Sequence, residues 1–124
     1  MAARSIVLRN SPREALIKVV NETGASAPQT ITVASLAATS QSISGTPEAN
    51  IINIAFSADA THSGYIKITR NSVVVAYLTG TGEFQQPWLN DNDESTSDFV
   101  IDVVLGTVYL TVRKGREFVT TNQI

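Results

Sequence analysis

Cysteine is absent from this 124-residue sequence, and histidine occurs once, as His62. Without cysteine the fold contains neither disulfides nor thiolate metal sites. One imidazole is too few for a histidine-based metal centre, so we expect no metal and no cofactor. A catalytic triad needs a nucleophile, a base and an acid that converge in space, whereas Ser63 beside His62 would point away from it. The sequence therefore predicts a protein that is not an enzyme.

Charged residues and long apolar runs are also scarce. Charged residues make up 16% of the chain, below the roughly 25% that is usual for soluble domains. The net charge of −2 gives no general attraction to nucleic acid. No apolar run approaches the roughly 18 residues of a membrane helix, and the apolar stretch near the N-terminus is shorter than the seven or so of a secretory signal. We therefore expect no nucleic-acid partner, no membrane partner and no export.

The few charges are unevenly distributed along the chain. Residues 1–18 are mainly basic, and residues 83–102 contain acidic residues without a basic one. This segregation is compatible with ordinary solvated surface, or with basic ends of one copy that meet the acidic segment of a neighbour and steer association. The basic residues are Arg4, Arg9, Arg13 and Lys18 near the N-terminus and Arg113, Lys114 and Arg116 near the C-terminus; the acidic residues are Glu83, Asp91, Asp93, Glu94, Asp98 and Asp102.

Strand signals dominate the sequence. Runs rich in Val, Ile and Thr alternate with turn-forming residues at regular spacing, which is typical of short antiparallel strands. About eight strands without a convincing helix predict one all-β domain over residues 1–124, an antiparallel β-sandwich of jelly-roll or immunoglobulin-like type. Residues 1–5 and 115–124 are candidates for extended arms. The predicted strands are 4–9, 14–21, 29–36, 50–57, 64–70, 73–79, 98–105 and 107–114, with a weaker one at 39–44 or 116–121.

Three turns are predicted between these strands. Asn71-Ser72 is predicted to form a two-residue hairpin, because Asn accepts a positive φ more readily than most residues. Ser11 to Glu14 is predicted to turn the first hairpin, and Gly106 another between 99–105 and 107–114. The glycine pair at 80–82 lacks the Lys-Ser/Thr of a phosphate-binding loop, so we interpret it as a bend after the strand.

Alternation within the strands predicts which side chains share a face. Ile66 and Ile68 are expected to point inward. In the strand 50–57 one face is predicted to carry Ile52, Ile54 and Phe56, and the other Ile51, Asn53 and Ala55.

Two irregular segments are the best candidates for binding. The first runs from Phe84 to Leu89 and contains the only Trp, Trp88. These residues would cap the core, anchor a protein contact or form a sugar platform. The second, residues 90–98, is acidic and begins like a calcium loop, although Thr96 replaces the usual Gly and Asp102 the usual Glu. It is either a solvated connection or a calcium site.

Several of these stretches resemble small virion proteins of tailed bacteriophages, particularly those of marine cyanobacteria. The similarity spans about half the chain, and it departs from the usual Asn-Gly hairpin at Asn71-Ser72. It implies a structural role in many copies, as a capsid decoration (cement) protein or as a connector or tail component, in virions assembled in the host cytoplasm. The similar stretches are Ala15 to Asn21, Ile68 to Val75, Thr79 to Phe84 and the acidic residues from Asp91 to Asp98.

The sequence as a whole therefore predicts a non-catalytic virion protein that binds the capsid shell and its own copies as a homo-oligomer. The expected partners are the major capsid protein or a connector, and the contacts would use sheet edges. A carbohydrate- or receptor-binding β-sandwich is the second hypothesis, and an enzyme built on carboxylates is the third. The interface candidates are Arg4, Arg9, Arg13, Phe84, Trp88, Leu89 and Phe118.

Overall fold

The computed structural model of the chain describes residues 3–85 and 95–120. This part of the chain forms eleven strands and two short 3₁₀ turns, so the predicted all-β class is confirmed. The strands are β1 (Arg4–Asn10), β2 (Glu14–Asn21), β3 (Gln29–Ile31), β4 (Gln41–Ile43), β5 (Ala49–Ala58), β6 (Tyr65–Arg70), β7 (Val73–Leu78), β8 (Gly80–Gln85), β9 (Phe99–Val104), β10 (Gly106–Lys114) and β11 (Phe118–Thr120); the 3₁₀ turns are Ala34–Leu36 and Ala60–His62.

The strands form an antiparallel β-sandwich. One sheet has the order β1-β2-β10-β5-β8 and the other the order β3-β9-β6-β7, and β4 and β11 form a separate two-stranded ribbon. The core consists of aliphatic side chains together with Phe99 and Phe118, with Ile17, Leu36 and Ile68 among those with no exposed surface. Val and Ile suit these positions because branched side chains pack well on a pleated surface.

Four connections between the two sheets lie at one end of the sandwich. There the chain crosses from β2 to β3, from β5 to β6, from β7 to β8 and from β9 to β10. The turn between β1 and β2 and the turn between β6 and β7 lie at the opposite end. We call this second end the turn end.

Two of the predicted turns are confirmed, and one is wrong. Asn71 and Ser72 both have positive φ, of 51° and 63°, and they connect β6 to β7 as a hairpin. Ser11 to Glu14 joins β1 to β2, with Asn10 opposite Ala15. Gly106, however, does not turn a hairpin, because β9 pairs with β3 and β6 while β10 pairs with β2 and β5 in the other sheet.

Four other predictions need correction or refinement. Residues 29–36 form a strand only as far as Ile31 and then a 3₁₀ turn. The weaker strand was expected at 39–44 or at 116–121, and strands occupy part of each, paired with one another. The glycine-containing segment after β7 is not merely a bend, since it forms β8 along β5. The expected arms lie partly in strands, because Arg4 belongs to β1 and Phe118 to β11.

The predicted alternation holds in β6 but fails in the middle of β5. Ile66 and Ile68 are fully buried, as expected. In β5 the register with β10 shifts between Thr111 and Val112, so that Ile52 has no direct partner. This bulge puts Ile51 and Ile54 together in the core, although the simple alternation assigned them to opposite faces.

Candidate assembly surface

The edge strand β1 is the most exposed apolar element that the structure describes. Ile6, Val7 and Leu8 are 44–50% exposed. β2 pairs with one side of β1, and no described strand pairs with the other. Monomeric proteins usually protect such an edge with Lys, Pro or a covering element, because its unpaired backbone groups can template another strand. β1 has neither Lys nor Pro, although it carries Arg4 and Arg9 and a register irregularity between Val7 and Arg9.

A groove lies beside the inner face of β1. Val7 is the cross-strand partner of Ile17, a fully buried residue, so both point to the inner face. An open groove of about 330 Å³ lies between β1 and the segment that contains Thr30, Ile31 and Ser35. Ser5 and Val7, on the inner face of β1, therefore line an open groove.

Basic residues lie on the outer face of β1. Arg4 and Arg9 are exposed, and Arg4 forms a long ion pair of 3.8 Å with Glu22. Arg13 is exposed in the turn that follows β1. These three predicted interface residues therefore lie on one edge of the sandwich.

The other edge of the same sheet is β8, which carries Phe84 and Glu83. Phe84 is 40% exposed and stacks on Phe56, with ring centroids 6.0 Å apart. Glu83 accepts a hydrogen bond from the Asn53 side chain at 3.0 Å. Phe84 therefore lies at an exposed edge of the sheet, and the arginines of β1 lie at the opposite edge.

The remaining interface candidates are Trp88, Leu89 and Phe118. Trp88 and Leu89 lie outside the described residues. Phe118 is only 7% exposed and packs in the core, with the Lys114 ammonium 5.5 Å from its ring centre. The expectation that Phe118 reaches a neighbour is therefore wrong, since its side chain is already used in the fold.

An aromatic pair lies on the outer face of the second sheet. Tyr65 and Tyr77 stack with ring centroids 5.6 Å apart, and Tyr77 is 59% exposed. The Tyr65 hydroxyl donates to Asp102 at 3.0 Å, and the Ser26 hydroxyl donates to both oxygens of the same carboxylate. The pKa of Tyr65 is raised above its ordinary value, mainly by partial burial and secondly by the hydrogen bond to Asp102.

His62 lies in the connection between β5 and β6 and pairs with Asp59. Its Nδ1 lies 2.8 Å from the Asp59 carboxylate in an exposed turn, and Asp59 also accepts from the Thr61 backbone amide. The hydrogen bond from His62 lowers the pKa of Asp59. Ser63, with a φ of 66°, ends the 3₁₀ turn. The Asp59–His62 pair therefore closes the connection from β5 to β6.

The calcium hypothesis for residues 90–98 stays a prediction, because most of that segment lies outside the described residues. Asp91 and Asp93 lie outside the described residues. The Ser95 hydroxyl donates to Glu48, and Asp102 lies in β9 as expected, where it accepts from Ser26 and Tyr65. Within residues 3–85 and 95–120, no cluster of three or more His, Asp or Glu side chains could hold a metal ion.

Two buried cations at the turn end were missed by the sequence analysis. Arg70 is fully buried, donates to the backbone carbonyls of Ala49, Ser95 and Ser97 at 2.7–3.2 Å, and lies 3.9 Å from the centre of the Phe99 ring. A signal was present, because Arg70 continues the inward alternation of Ile66 and Ile68.

Lys114 is the second of these cations and is 3% exposed. Its ammonium donates to the Ser11 carbonyl at 2.8 Å, to Gln41 Oε1 at 3.0 Å and to Asn10 Oδ1. Desolvation lowers the pKa of Lys114. It continues the inward series of Val108, Leu110 and Val112 in the same way as Arg70 continues that of β6. Both residues hold neighbouring segments together at the turn end.

Comparisons with known proteins leave the surface as the main guide to function. No protein-family model, no curated protein and no solved structure matches the chain. In the described part of the chain, no helix has the length and hydropathy needed to cross a membrane.

Proposed function

We propose that this protein is a non-catalytic structural component of a bacteriophage virion, a capsid decoration protein that binds the shell and its own copies through the edges of its sandwich. The observation that carries the proposal is β1, a seven-residue edge strand with three consecutive exposed apolar side chains. A strand of this kind can be extended by a strand of a partner, with backbone hydrogen bonds for affinity and side chains for specificity.

The rest of the sandwich is consistent with this role. The four outer strands of the two described sheets, β1, β8, β3 and β7, contain no lysine. Lysine is one of the usual means by which a monomeric β-protein protects its edges. The resemblance to phage virion proteins is the reason for proposing a virion, and the exposed edges are the surfaces through which the protein would attach. A connector or tail component of the same virion would use the same edges.

The test is the composition of the particle. In purified virions of the phage that encodes the chain, quantitative mass spectrometry is expected to find it in many copies. Shells that lack the chain should bind added protein in a sedimentation assay, and Leu8→Lys should reduce this binding at least tenfold. Ser42→Lys, at an exposed position of β4, is the matched control. The proposal would be contradicted if the protein is absent from virions and does not bind to shells.

A carbohydrate-binding role is the second candidate, and Tyr77 is the observation that favours it. Its ring is widely exposed on the outer face of the second sheet and stacks on Tyr65. Aromatic rings of this kind can stack on sugars, with Lys67 and Asp102 nearby in the register as polar partners. Binding of the wild type to a glycan array, lost in Tyr77→Ala, would favour this role over assembly.

A further inference from the structure

The two edges of the five-stranded sheet are related in direction and in register. Every neighbouring pair in the order β1-β2-β10-β5-β8 is antiparallel. Because the sheet has an odd number of strands, β1 and β8 point the same way. A second copy placed beside the first without inversion would therefore bring its β8 parallel to β1.

The side chains of the two edges lie in matching rows. Cross-strand partners run in one row from Val7 to Phe84, through Ile17, Leu110 and Ile54. Val7 and Phe84 thus lie at the same level on the same, inner face. They are 44% and 40% exposed, so contact between them in adjoining copies would remove apolar surface from water.

The charges of the two edges are complementary. On the outer face, Ile6 lies in the same cross-strand row as Glu83. Arg4 lies two rows from this row on one side, and Arg9 two rows from it on the other. β1 contains two arginines and no acidic residue, whereas β8 contains Glu83 and no basic residue. Diagonal neighbours are within reach of long side chains such as Arg.

A two-fold pairing lacks this complementarity. Pairing β1 with β1 would bring the Arg4 and Arg9 side chains of both copies close together. Pairing β8 with β8 would bring two Glu83 side chains together. Like charges that face each other across strands are destabilising. The charge pattern therefore favours contact between unlike edges.

We propose that copies of this protein join head to tail, with β1 of one copy parallel to β8 of the next, so that the five-stranded sheet continues from copy to copy. Such a heterologous contact closes into a ring where the rotation allows it and otherwise forms a filament. This inference rests on the proposed function, because it specifies how one copy binds another.

Charge reversal tests the proposal by light scattering coupled to size-exclusion chromatography. The β1 variant is Arg4→Glu/Arg9→Glu, and the β8 variant is Glu83→Lys; all three side chains are exposed, so the variants should keep the wild-type circular dichroism and unfolding midpoint. The wild type is expected to be larger than a dimer. Each variant alone is expected to associate at least tenfold more weakly, and an equimolar mixture should recover assembly because each interface again joins opposite charges. Arg116→Glu, in the turn before β11, is the control and should behave as the wild type.

Three outcomes would overturn the head-to-tail arrangement. One is a monomeric wild type. Another is a wild-type dimer that Glu83→Lys leaves intact and the β1 variant dissociates, which would show two-fold pairing through β1. The third is a mixture that stays dissociated. If the chain still binds shells in any of these cases, the virion role stands and only the arrangement fails.

Discussion

The Lys114 ammonium donates to the backbone carbonyl of Ser11 at 2.8 Å and thereby connects the last residue of β10 to the turn after β1. The same ammonium binds Gln41 of β4, so one buried side chain holds three segments of the turn end. Removal of this buried ammonium takes the donor from the Ser11 carbonyl and from Asn10 Oδ1, whereas Gln41 Oε1 still accepts from the Ala38 amide.

Lys114→Met should therefore destabilise the fold although it adds apolar surface to a buried position. We expect a loss of about 1–3 kcal/mol in the free energy of unfolding, measured by urea denaturation. Lys18→Met is the control, since Lys18 is half-buried and lies over the Tyr109 ring at 5.7 Å, and it should cost less. An equal loss in both variants would argue against the buried hydrogen bonds as the cause.

Lys114 also predicts a pH dependence of stability. Its pKa in the folded state is lowered below 10.5 by desolvation, so the unfolded chain binds more protons between the two values. The stability that Lys114 contributes must therefore rise with pH across this window. The difference in unfolding free energy between the wild type and Lys114→Met should grow in favour of the wild type as the pH approaches 10.5. A difference that is constant with pH would contradict the lowered pKa.

Arg70 should be even less tolerant of change. Its Nη1 donates to the Ala49 carbonyl while Nη2 donates to those of Ser95 and Ser97, a planar fork that the single nitrogen of Lys cannot reproduce. Arg70→Lys should cost about 3 kcal/mol, because at least one buried carbonyl loses its donor. Arg116→Lys, at an exposed position, should be neutral. The measurement is urea unfolding of both variants, and equal midpoints would show that the fork geometry of Arg70 is unimportant.

Replacement of Ser72 by glycine should stabilise the fold. Its φ of 63° places a side chain in the left-handed region, which costs roughly 1–2 kcal/mol for a residue with a Cβ. Ser72→Gly should raise the free energy of unfolding by up to about 1 kcal/mol, because the greater freedom of glycine in the unfolded chain offsets part of the gain. Ser42→Gly in β4 is the control with the opposite expected sign. A Ser72→Gly protein no more stable than the wild type would show that the turn tolerates serine without strain.

Local sequence signals suffice for some elements of the fold and not for others. The hairpin at Asn71 could be predicted because positive φ is a local property of its residues. The failure at Gly106 has a long-range cause: a Cβ there would lie 2.5 Å from the Ser57 carbonyl oxygen, so glycine permits close approach of β5. Spacing alone does not reveal whether the next strand pairs with its predecessor or crosses to the other sheet. The bulge at Ile52 was likewise invisible, since it depends on the register with Thr111 and Val112.

The candidate surface was predictable in its composition but not in its arrangement. Arg4, Arg9 and Phe84 were identified as interface residues, and all three are exposed. That the arginines and Phe84 lie at opposite edges of one sheet follows from the strand order β1-β2-β10-β5-β8. Such an order depends on contacts between distant parts of the chain, which a single sequence does not display.

Self-association should weaken as salt is added. The contact between Arg4 or Arg9 and Glu83 of the next copy would lie at the outer face of the sheet, where ions reach it. The Debye length falls from about 10 Å at 0.1 M salt to about 3 Å at 1 M, so these attractions are largely screened across that range. We expect the dissociation constant of the wild type, measured by sedimentation equilibrium, to rise several-fold. Glu83→Gln should associate more weakly at low salt and respond less to added salt, because one partner of the attraction is gone. Glu117→Gln, in the turn before β11, is the control and should keep the wild-type response. A wild-type oligomer indifferent to salt would show that apolar contacts such as that of Val7 with Phe84 hold the copies together without help from charge.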